Sequence, residues 1–330
     1  MGKSAQDRES DSFDLLSIVV PTYNEQAVLT TFFERLRRVT DEVSMDTEIL
    51  FVNDGSDDAT LQMLLELRET EDDVAVLDLS RNFGKEIALT AGLRLARGDA
   101  VVVLDADLQD PPELIPEMID AWRDGYDMVY AKRVRRESDT WGKRTTARLF
   151  YRLMRRIGEV ELPEDVGDFR LLSRRAVNAV NGFEEHNRFM KGLFAWIGYP
   201  QKAVTFERPP RPAGDSKWNY GRLWKLALEG ITSFTIVPLR LSTYIGLAAA
   251  FGAFAYGIFI IIRTLLYGDP VAGYPSMVVI ILFLGGIQLM SIGILGEYVG
   301  RIFNESKRRP LYFINDYRPT RHSERGAGRV

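Results

Sequence analysis

The stretch VVVLDADLQDPPEL, Val101–Leu114, decides the fold because an apolar run leads directly into a cluster of carboxylates. Continuous apolar runs are typical of strands that are buried on both faces of a parallel sheet. In such sheets ligands bind at the carboxyl ends of the strands. Two interpretations are open at this point. Asp105 and Asp107 bind a metal ion, or the acidic loop caps the helix that follows.

The same pattern recurs along the first 135 residues, where short apolar runs alternate with helical segments. This alternation predicts βαβ units and a mainly parallel sheet in an α/β domain. The predicted strands are Leu15–Val20, Glu48–Val52, Val74–Leu79, Ala100–Asp105 and Asp127–Arg133. The predicted helices between and after them cover about 25–43, 59–69, 85–96 and 111–125.

Polar clusters follow three of these strands. They are PTYNE (Pro21–Glu25), NDGSDD (Asn53–Asp58) and DADLQD (Asp105–Asp110). Each cluster alone is also typical of a turn or a helix cap. Because the carboxyl ends of parallel strands meet at one rim of the sheet, the three together favour a binding site. The helix-cap interpretation remains for Asp110, which precedes the prolines that start the next helix.

The residue types present restrict the kind of metal site. The chain has no cysteine, and His186 and His322 are far apart, so the ligands are expected to be oxygens that suit Mg²⁺ or Mn²⁺. Asp105 and Asp107 are two apart, which on an extended chain puts both carboxylates on one side. Two such carboxylates repel unless a cation lies between them. The net charge of −4 gives no reason to expect nucleic acid as a partner.

Two long uncharged runs predict a membrane hairpin after the α/β domain. They are Leu241–Ile262 and Pro270–Gly296, each long enough to cross a bilayer as a helix. A buried helix pair of a soluble protein is the alternative, which the missing polar faces disfavour. The expected domains are a disordered tail at 1–13, a catalytic domain at 14–218, an amphipathic interfacial helix at 219–240, two transmembrane helices at 241–265 and 273–298 within 241–300, and a cytoplasmic tail at 301–330.

Basic residues beside the hairpin predict its orientation. They are Arg222, Lys225 and Arg240 before it and Arg301, Lys307, Arg308 and Arg309 after it, whereas the connecting loop has Arg263 alone. Because basic residues favour the cytoplasmic side, both termini and the large domain are expected to be cytoplasmic. Gly296 and Gly300 form a GxxxG pattern, which gives the expectation of a homo-oligomer packed through the membrane helices.

Four motifs identify a family that the chain resembles. VVPTYNE, VNDGSDD, DADLQDPPE and RPAGDSKW occur in the order found in family-2 glycosyltransferases of the GT-A fold. The chain is most similar to the polyisoprenyl-phosphate glycosyltransferases, such as dolichyl-phosphate mannose synthase and bacterial undecaprenyl-phosphate glucosyltransferase. The resemblance covers about residues 15–217 and extends to the hairpin. It implies a metal-dependent, inverting transfer of a sugar from a nucleotide sugar, with UDP-glucose preferred, to undecaprenyl phosphate at the cytoplasmic face of a bacterial inner membrane.

The resemblance also implies roles for the matching positions. On the donor side, Pro21, Tyr23 and Glu25 surround the base and ribose, Asp54 bonds the base edge, and Arg133 approaches the sugar or phosphates. The metal ligands are Asp105, Asp107 and Gln109, with Asp107 also catalytic. Arg211, Ser216 and Lys217 close over the diphosphate or hold the acceptor phosphate.

Asp168 and Arg170 are the implied acceptor-side pair, as a catalytic carboxylate and a ligand of the lipid phosphate. A structural ion pair between the two is the alternative. The second pKa of a phosphate monoester is about 6, so the phosphate of the lipid acceptor needs little deprotonation at cytoplasmic pH. Asp168 therefore acts either as a base or as a positioning group.

Two other functions remain open. The first is a processive polysaccharide synthase of the same fold, but such enzymes carry a QxxRW motif and more spans. RFMKGLFAW (Arg188–Trp196) does not match that motif. The second is a noncatalytic membrane scaffold, which would not need the acidic motifs and the 211–217 loop together.

Overall fold

Eight strands form one sheet in the computed structural model, which describes residues 15–133, 166–186, 188, 190–206, 237–267 and 273–321. The strands are β1 Leu15–Thr22, β2 Asp46–Asn53, β3 Val74–Leu79, β4 Ala100–Val103, β5 Met128–Arg133, β6 Val166–Ser173, β7 Gln201–Phe206 and β8 Ile314–Arg318. The helices of this unit are α1 Leu29–Thr40, α2 Thr60–Thr70, α3 Lys85–Leu95, α4 Ile115–Arg123, α5 Arg174–Asn181 and α6 Met190–Trp196. The five predicted strands and four predicted helices are confirmed, with small shifts at their ends.

The sheet is mainly parallel, as predicted. Its strand order is β7-β5-β6-β4-β1-β2-β3-β8. β1 pairs in parallel with β2 and β4, β2 pairs in parallel with β3, and β5 pairs in parallel with β7. β6 runs antiparallel between β4 and β5. Because β6 opposes β4, the start of β6 lies beside the end of β4, at the rim where the ends of β1 and β2 also lie.

Helices cover both faces of the sheet, which explains the continuous apolar runs. Along β1, Leu16, Ile18 and Val20 belong to one buried cluster and Val19 belongs to the other. This alternation is the two-residue period of a strand with two buried faces. α3 packs closely on the sheet at Gly92, where a Cβ atom would lie 2.3 Å from Cγ1 of Val19.

The second compact unit contains two long apolar helices, α7 Val237–Tyr267 and α8 Tyr274–Ser306. Each contains a segment long and apolar enough to cross a membrane, Ser242–Phe259 and Phe283–Ser306. Almost none of either segment is buried, which does not fit a buried helix pair of a soluble protein. The unit therefore fits a membrane-associated protein.

The structure corrects the expectation of a tail from residue 301. α8 continues to Ser306, and β8 pairs antiparallel with β3 at the edge of the sheet. β8 belongs to the same compact unit as the rest of the sheet. Its sequence, INDYR, has few apolar residues. An edge strand can have such a sequence, since it buries only part of its side chains. The predicted tail at 1–13 and most of the predicted helix at 219–240 lie outside the described residues.

Candidate active site

The loops after β1 and β2 are joined by hydrogen bonds between their side chains and backbones. The backbone N–H of Asn24 donates to Oγ of Ser56 at 3.1 Å, and the N–H of Asp57 donates to Oδ1 of Asn24 at 2.9 Å. The N–H of Glu25 donates to Oγ1 of Thr60 at 2.9 Å. Asn24 has a φ of 55°, a conformation that asparagine adopts more readily than most residues. The first two polar clusters therefore form one bonded surface.

Asp54 fixes the loop after β3 to this surface. Its side chain is buried, and its two carboxylate oxygens accept the backbone N–H groups of Phe83 and Gly84 at 2.7 and 2.8 Å. Burial raises the pKa of Asp54, and these two bonds oppose the rise. The structure gives Asp54 a loop-holding contact that differs from the base-edge role that the resemblance implies.

Lys85 bridges Asp105, which follows β4, and Asp168, which lies near the start of β6. Its Nζ lies 2.6 Å from Oδ2 of Asp105 and 2.5 Å from Oδ2 of Asp168. Lys191 lies near the same group, with its Nζ 4.0 Å from Oδ1 of Asp168. The predicted donor-side and acceptor-side carboxylates are thus brought together. The role of Lys85 was not predictable from the sequence, because a lysine at the start of a helix after a glycine has no distinguishing pattern.

The charges in this cluster shift its pKa values in different directions. Burial raises the pKa of Asp105, and the neighbouring carboxylates of Asp168 and Asp107 add to the rise, so Lys85 offsets only part of it. Burial also acts to raise the pKa of Asp168, but the ammonium groups of Lys85 and Lys191 outweigh it and hold that pKa below the ordinary value. Burial lowers the pKa of Lys85, and the two carboxylates raise it to a net value above the usual range.

The loop after β4 turns sharply, which corrects the extended-chain argument for Asp105 and Asp107. The strand ends at Val103, and residues 106–108 form a bend. Leu108 has a φ of 60°, which is uncommon for a residue other than glycine. The N–H of Gln109 donates to Oδ1 of Asp107 at 3.0 Å, which stabilises the turn. The argument from strand alternation is therefore wrong here, although both carboxylates stay electrostatically coupled.

Glu25 is the third carboxylate on this side of the rim. Burial and, to a lesser extent, the carboxylates of Asp107, Asp105 and Asp58 together raise its pKa to about 7. The sequence analysis placed Glu25 near the base and ribose. In the structure, the carboxylates of Asp105 and Asp107 are close enough to raise the pKa of Glu25.

The helix-cap prediction for Asp110 stays a prediction, because the cap positions of the structure are Pro111 and Leu114. No side-chain cap bond is present at the short 3-10 helix Pro112–Leu114 or at α4. Asp110 is buried and pairs with Arg133, whose Nη2 lies 3.3 Å from its Oδ1. Arg133 therefore lies at the rim, as expected, but its described partner is a carboxylate of the protein.

Arg170 is buried, and its described contacts differ from the predicted role as a phosphate ligand. Its guanidinium donates to the backbone oxygens of Gly167 and Asp168 at 3.0 and 3.3 Å and stacks 4.0 Å from the ring centre of Phe194. Burial lowers its pKa to about 10. These contacts support a structural role at the start of β6. The alternative of an Arg170–Asp168 ion pair is also not what the bonds show, since they use backbone oxygens.

The remaining predicted site residues lie at the end of β1 or outside the described part of the chain. Pro21 lies within β1, and Tyr23 directly after it is 42% exposed. Arg211, Ser216 and Lys217 lie outside the described residues.

Comparison with known proteins decides the family. Residues 17–180 match the model described as glycosyl transferase family 2, and residues 237–302 match the model described as GtrB C-terminal hairpin. An uncharacterised glycosyltransferase of Synechocystis sp. is 50% identical over 301 residues, which cover 91% of this chain and 95% of that protein. The chain belongs to glycosyl transferase family 2.

This family-2 glycosyltransferase has a further relative that carries a more specific name. The bactoprenol glucosyl transferase of Shigella phage SfV is 50% identical over 301 residues, which cover 91% of this chain and 98% of that protein. Among solved structures, mannosyl-3-phosphoglycerate synthase from Rubrobacter xylanophilus is similar at a TM-score of 0.46 and 18% identity, over 65% of this chain and 71% of that chain. Because the chain is a glycosyltransferase, the alternative of a noncatalytic scaffold is wrong.

Enzymes of glycosyl transferase family 2 commonly use a divalent metal. Among the described residues no three acidic or imidazole side chains are arranged to hold one metal ion. The donor types nevertheless fit such an ion. Burial and neighbouring carboxylates raise the pKa of Glu25 and Asp105, and Oδ1 of Asp168 is buried with no hydrogen-bond partner in the described part of the chain. Carboxylate oxygens are the ligands that Mg²⁺ and Mn²⁺ prefer.

Proposed function

We propose that this enzyme transfers glucose from UDP-glucose to the phosphate of a polyisoprenyl lipid, with inversion at the anomeric carbon. The observation that carries the proposal is that one chain joins an acidic rim suited to a nucleotide sugar with two apolar helices suited to a lipid acceptor. The name of the Shigella phage relative, which is 50% identical over nearly its whole length, supports both the sugar and the lipid.

On the donor side, Asp105 and Asp107, with Gln109, are the proposed metal ligands, and Glu25 is a neighbouring carboxylate. When bound there, a divalent cation neutralises the charge of the departing diphosphate. The exposed ring of Tyr23 is available to stack on the base.

On the acceptor side we assign Asp168 a positioning role. Its pKa lies below the ordinary value because Lys85 and Lys191 stand beside it, and such a carboxylate is a weak base. The acceptor phosphate is already mostly a dianion near neutral pH, so the reaction needs alignment of the attacking oxygen more than proton removal. Lys191 is partly exposed and close to Asp168, so its ammonium is suited to the acceptor phosphate.

The proposed orientation places the catalytic domain and both termini in the cytoplasm. It rests on the excess of basic residues next to the two helices compared with the loop between them. A homo-oligomer through the GxxxG pattern also remains a proposal. Gly296 and Gly300 lie on an exposed part of α8, where a Cβ atom would meet nothing within 4 Å.

The test incubates the purified full-length protein with undecaprenyl phosphate and a panel of UDP- and GDP-sugars, and identifies the lipid product by mass spectrometry. We expect one hexose per lipid with UDP-glucose and no product with undecaprenol, which lacks the phosphate. A ladder of longer glycolipids would instead indicate a polysaccharide synthase. The absence of any glycolipid with every donor would refute the proposal.

Matched variants test the acidic motif in the same assay. Asp107→Ala is expected to lower turnover by at least about 100-fold, as expected for loss of a group that stabilises the transition-state charge. Asp57→Ala removes an exposed carboxylate from a neighbouring loop of the same rim and is expected to keep most activity. Equal activity of the two variants would contradict the assignment of Asp107.

A further inference from the structure

Lys85 holds together two carboxylates that come from different parts of the chain. Asp105 follows β4, and Asp168 lies in β6, which runs in the opposite direction beside it. A single ammonium group contacts an oxygen of each, at 2.6 and 2.5 Å. Lys85 is itself the first residue of α3, directly after the Gly84 that Asp54 holds. Its position is therefore set by the sheet and by the donor-side loop together.

The ammonium of Lys85 contacts Oδ2 of Asp105, so a divalent ion held by that oxygen would have to share it with Lys85. Two cations that share one carboxylate oxygen repel, and the repulsion is strong where the groups are half-buried. Asp168 differs from Asp105, because it has Lys191 as a second positive neighbour and one buried oxygen with no hydrogen-bond donor among the described residues. Lys85 therefore retains a negative partner if a divalent ion takes Asp105.

We propose that Lys85 is a positioning residue of the transfer reaction, the built-in counter-ion that links Asp105 to Asp168 and competes with a divalent ion for Asp105. This inference rests on the proposed function, in which Asp105 serves the donor and Asp168 serves the acceptor. If a divalent ion were held at Asp105, Lys85 would keep its contact with Asp168 and lose its contact with Asp105. Occupation of the donor side at Asp105 would thereby affect how Lys85 positions Asp168 on the acceptor side.

The proposal predicts an uncommon combination of effects for Lys85→Met. Removing the competing charge is expected to raise the affinity for Mn²⁺ by about tenfold, since one unit charge a few ångströms away is lost. Turnover is expected to fall by about 100-fold because Asp168 is no longer held in place. Lys85→Arg keeps the charge and is expected to leave the Mn²⁺ affinity within about threefold of wild type. A lysine with only a structural role would give weaker metal binding together with lower activity.

Mn²⁺ affinity is measured by electron paramagnetic resonance of the free ion, on the full-length protein without donor or acceptor. Lys202→Met is the control for loss of one positive charge, because Lys202 pairs with Asp124 at the protein surface. We expect it to change neither Mn²⁺ binding nor turnover. Because no sugar transfer is needed for this measurement, failure of the proposed function and failure of this inference give different results.

Lys85→Gln provides a second neutral variant that still donates hydrogen bonds to both carboxylates. Tighter Mn²⁺ binding in either neutral variant with reduced turnover supports the proposal. Unchanged or weaker Mn²⁺ binding in a folded neutral variant overturns it. If both neutral variants fail to fold while Lys85→Arg folds, Lys85 is a structural residue, and the proposal is also overturned.

Discussion

Replacement of Gly55 by alanine is expected to push apart the loops that follow β2 and β3. Gly55 has a φ of 63°, and a Cβ atom there would lie 2.4 Å from the carbonyl carbon of Arg81 and 2.5 Å from the nitrogen of Asn82. Both neighbours are backbone atoms, so no side chain can rotate away. An ordinary contact begins at 3.4 Å, so the loops must separate by 3.4 − 2.4 = 1.0 Å. The bonds from Phe83 and Gly84 to Asp54 would then lengthen beyond a hydrogen bond.

The cost follows from these contacts. The left-handed conformation costs an L side chain about 1–2 kcal/mol, and a hydrogen bond to a charged group contributes about 1.5–3 kcal/mol. Strain together with the loss of both bonds to Asp54 therefore amounts to about 4–8 kcal/mol. At this chain size that lowers the melting temperature by on the order of 10 °C.

Gly84→Ala is the matched control for Gly55→Ala. Gly84 also has a positive φ, 97°, but a Cβ atom there would meet nothing within 4 Å. It therefore carries backbone strain of about 1–3 kcal/mol without a clash. The assay is thermal unfolding followed by intrinsic fluorescence, with and without UDP and Mn²⁺. Equal shifts for the two variants would refute the reasoning. So would full additivity of Gly55→Ala with Asp54→Ala, since both changes are expected to break the same bonds.

Three further predictions concern the rim, the core and the last strand. Because the pKa of Glu25 in the folded protein, about 7, exceeds its ordinary value, its contribution to stability is present below the ordinary value and is lost as the pH rises through 7. Melting temperatures between pH 4 and 8 should therefore fall less for Glu25→Gln than for wild type. Gly92→Ala is expected to cost about 1–3 kcal/mol by overpacking, and Val19→Ala should recover part of that cost in the double variant. Asn315→Leu removes a 2.7 Å bond to the buried carboxylate of Asp78 and is expected to cost about 1–3 kcal/mol in thermal unfolding.

Each of these has a distinct contradicting result. Parallel pH profiles for wild type and Glu25→Gln would show that this carboxyl does not carry the shift. Additive effects of Gly92→Ala and Val19→Ala would show that α3 does not rest on that methyl group. An Asn315→Leu variant no less stable than Asp316→Ala, an exposed neighbour on the same strand, would exclude a role for the Asp78 bond.

The strands and helices of the first half were predictable because local patterns decide them. Buried strands such as Ala100–Val103 are continuously apolar, and helices of nine to twelve residues separate the first five strands. The same alternation predicted the acidic rim, because the carboxyl ends of parallel strands lie at one edge of the sheet. The order of the strands was not predictable in the same way. β6 enters the sheet antiparallel after a segment of more than 30 residues, and nothing in its sequence states that its partner is β4.

The parts of the site that sequence reasoning missed depend on that long-range pairing. Lys85 is distinctive only because β6 brings Asp168 to it, 83 residues further along the chain. Asp110 precedes two prolines, which locally favours a helix cap, and that local pattern does not predict its tertiary ion pair with Arg133. β8 was missed for a different reason. A strand at the edge of a sheet buries little apolar surface, so its sequence gives only a weak strand pattern.

The position of β8 at residues 314–318 has a consequence for the biosynthesis of the enzyme. A ribosome must make both apolar helices before it makes the strand that covers β3. Until then the nascent catalytic sheet has an open edge with unpaired backbone groups, which can pair with another chain. A product that stops at residue 309 would contain both apolar helices and every acidic residue of the rim, yet it would keep that open edge. Loss of the last 21 residues should therefore appear in cells as aggregation and degradation before it appears as an inactive enzyme.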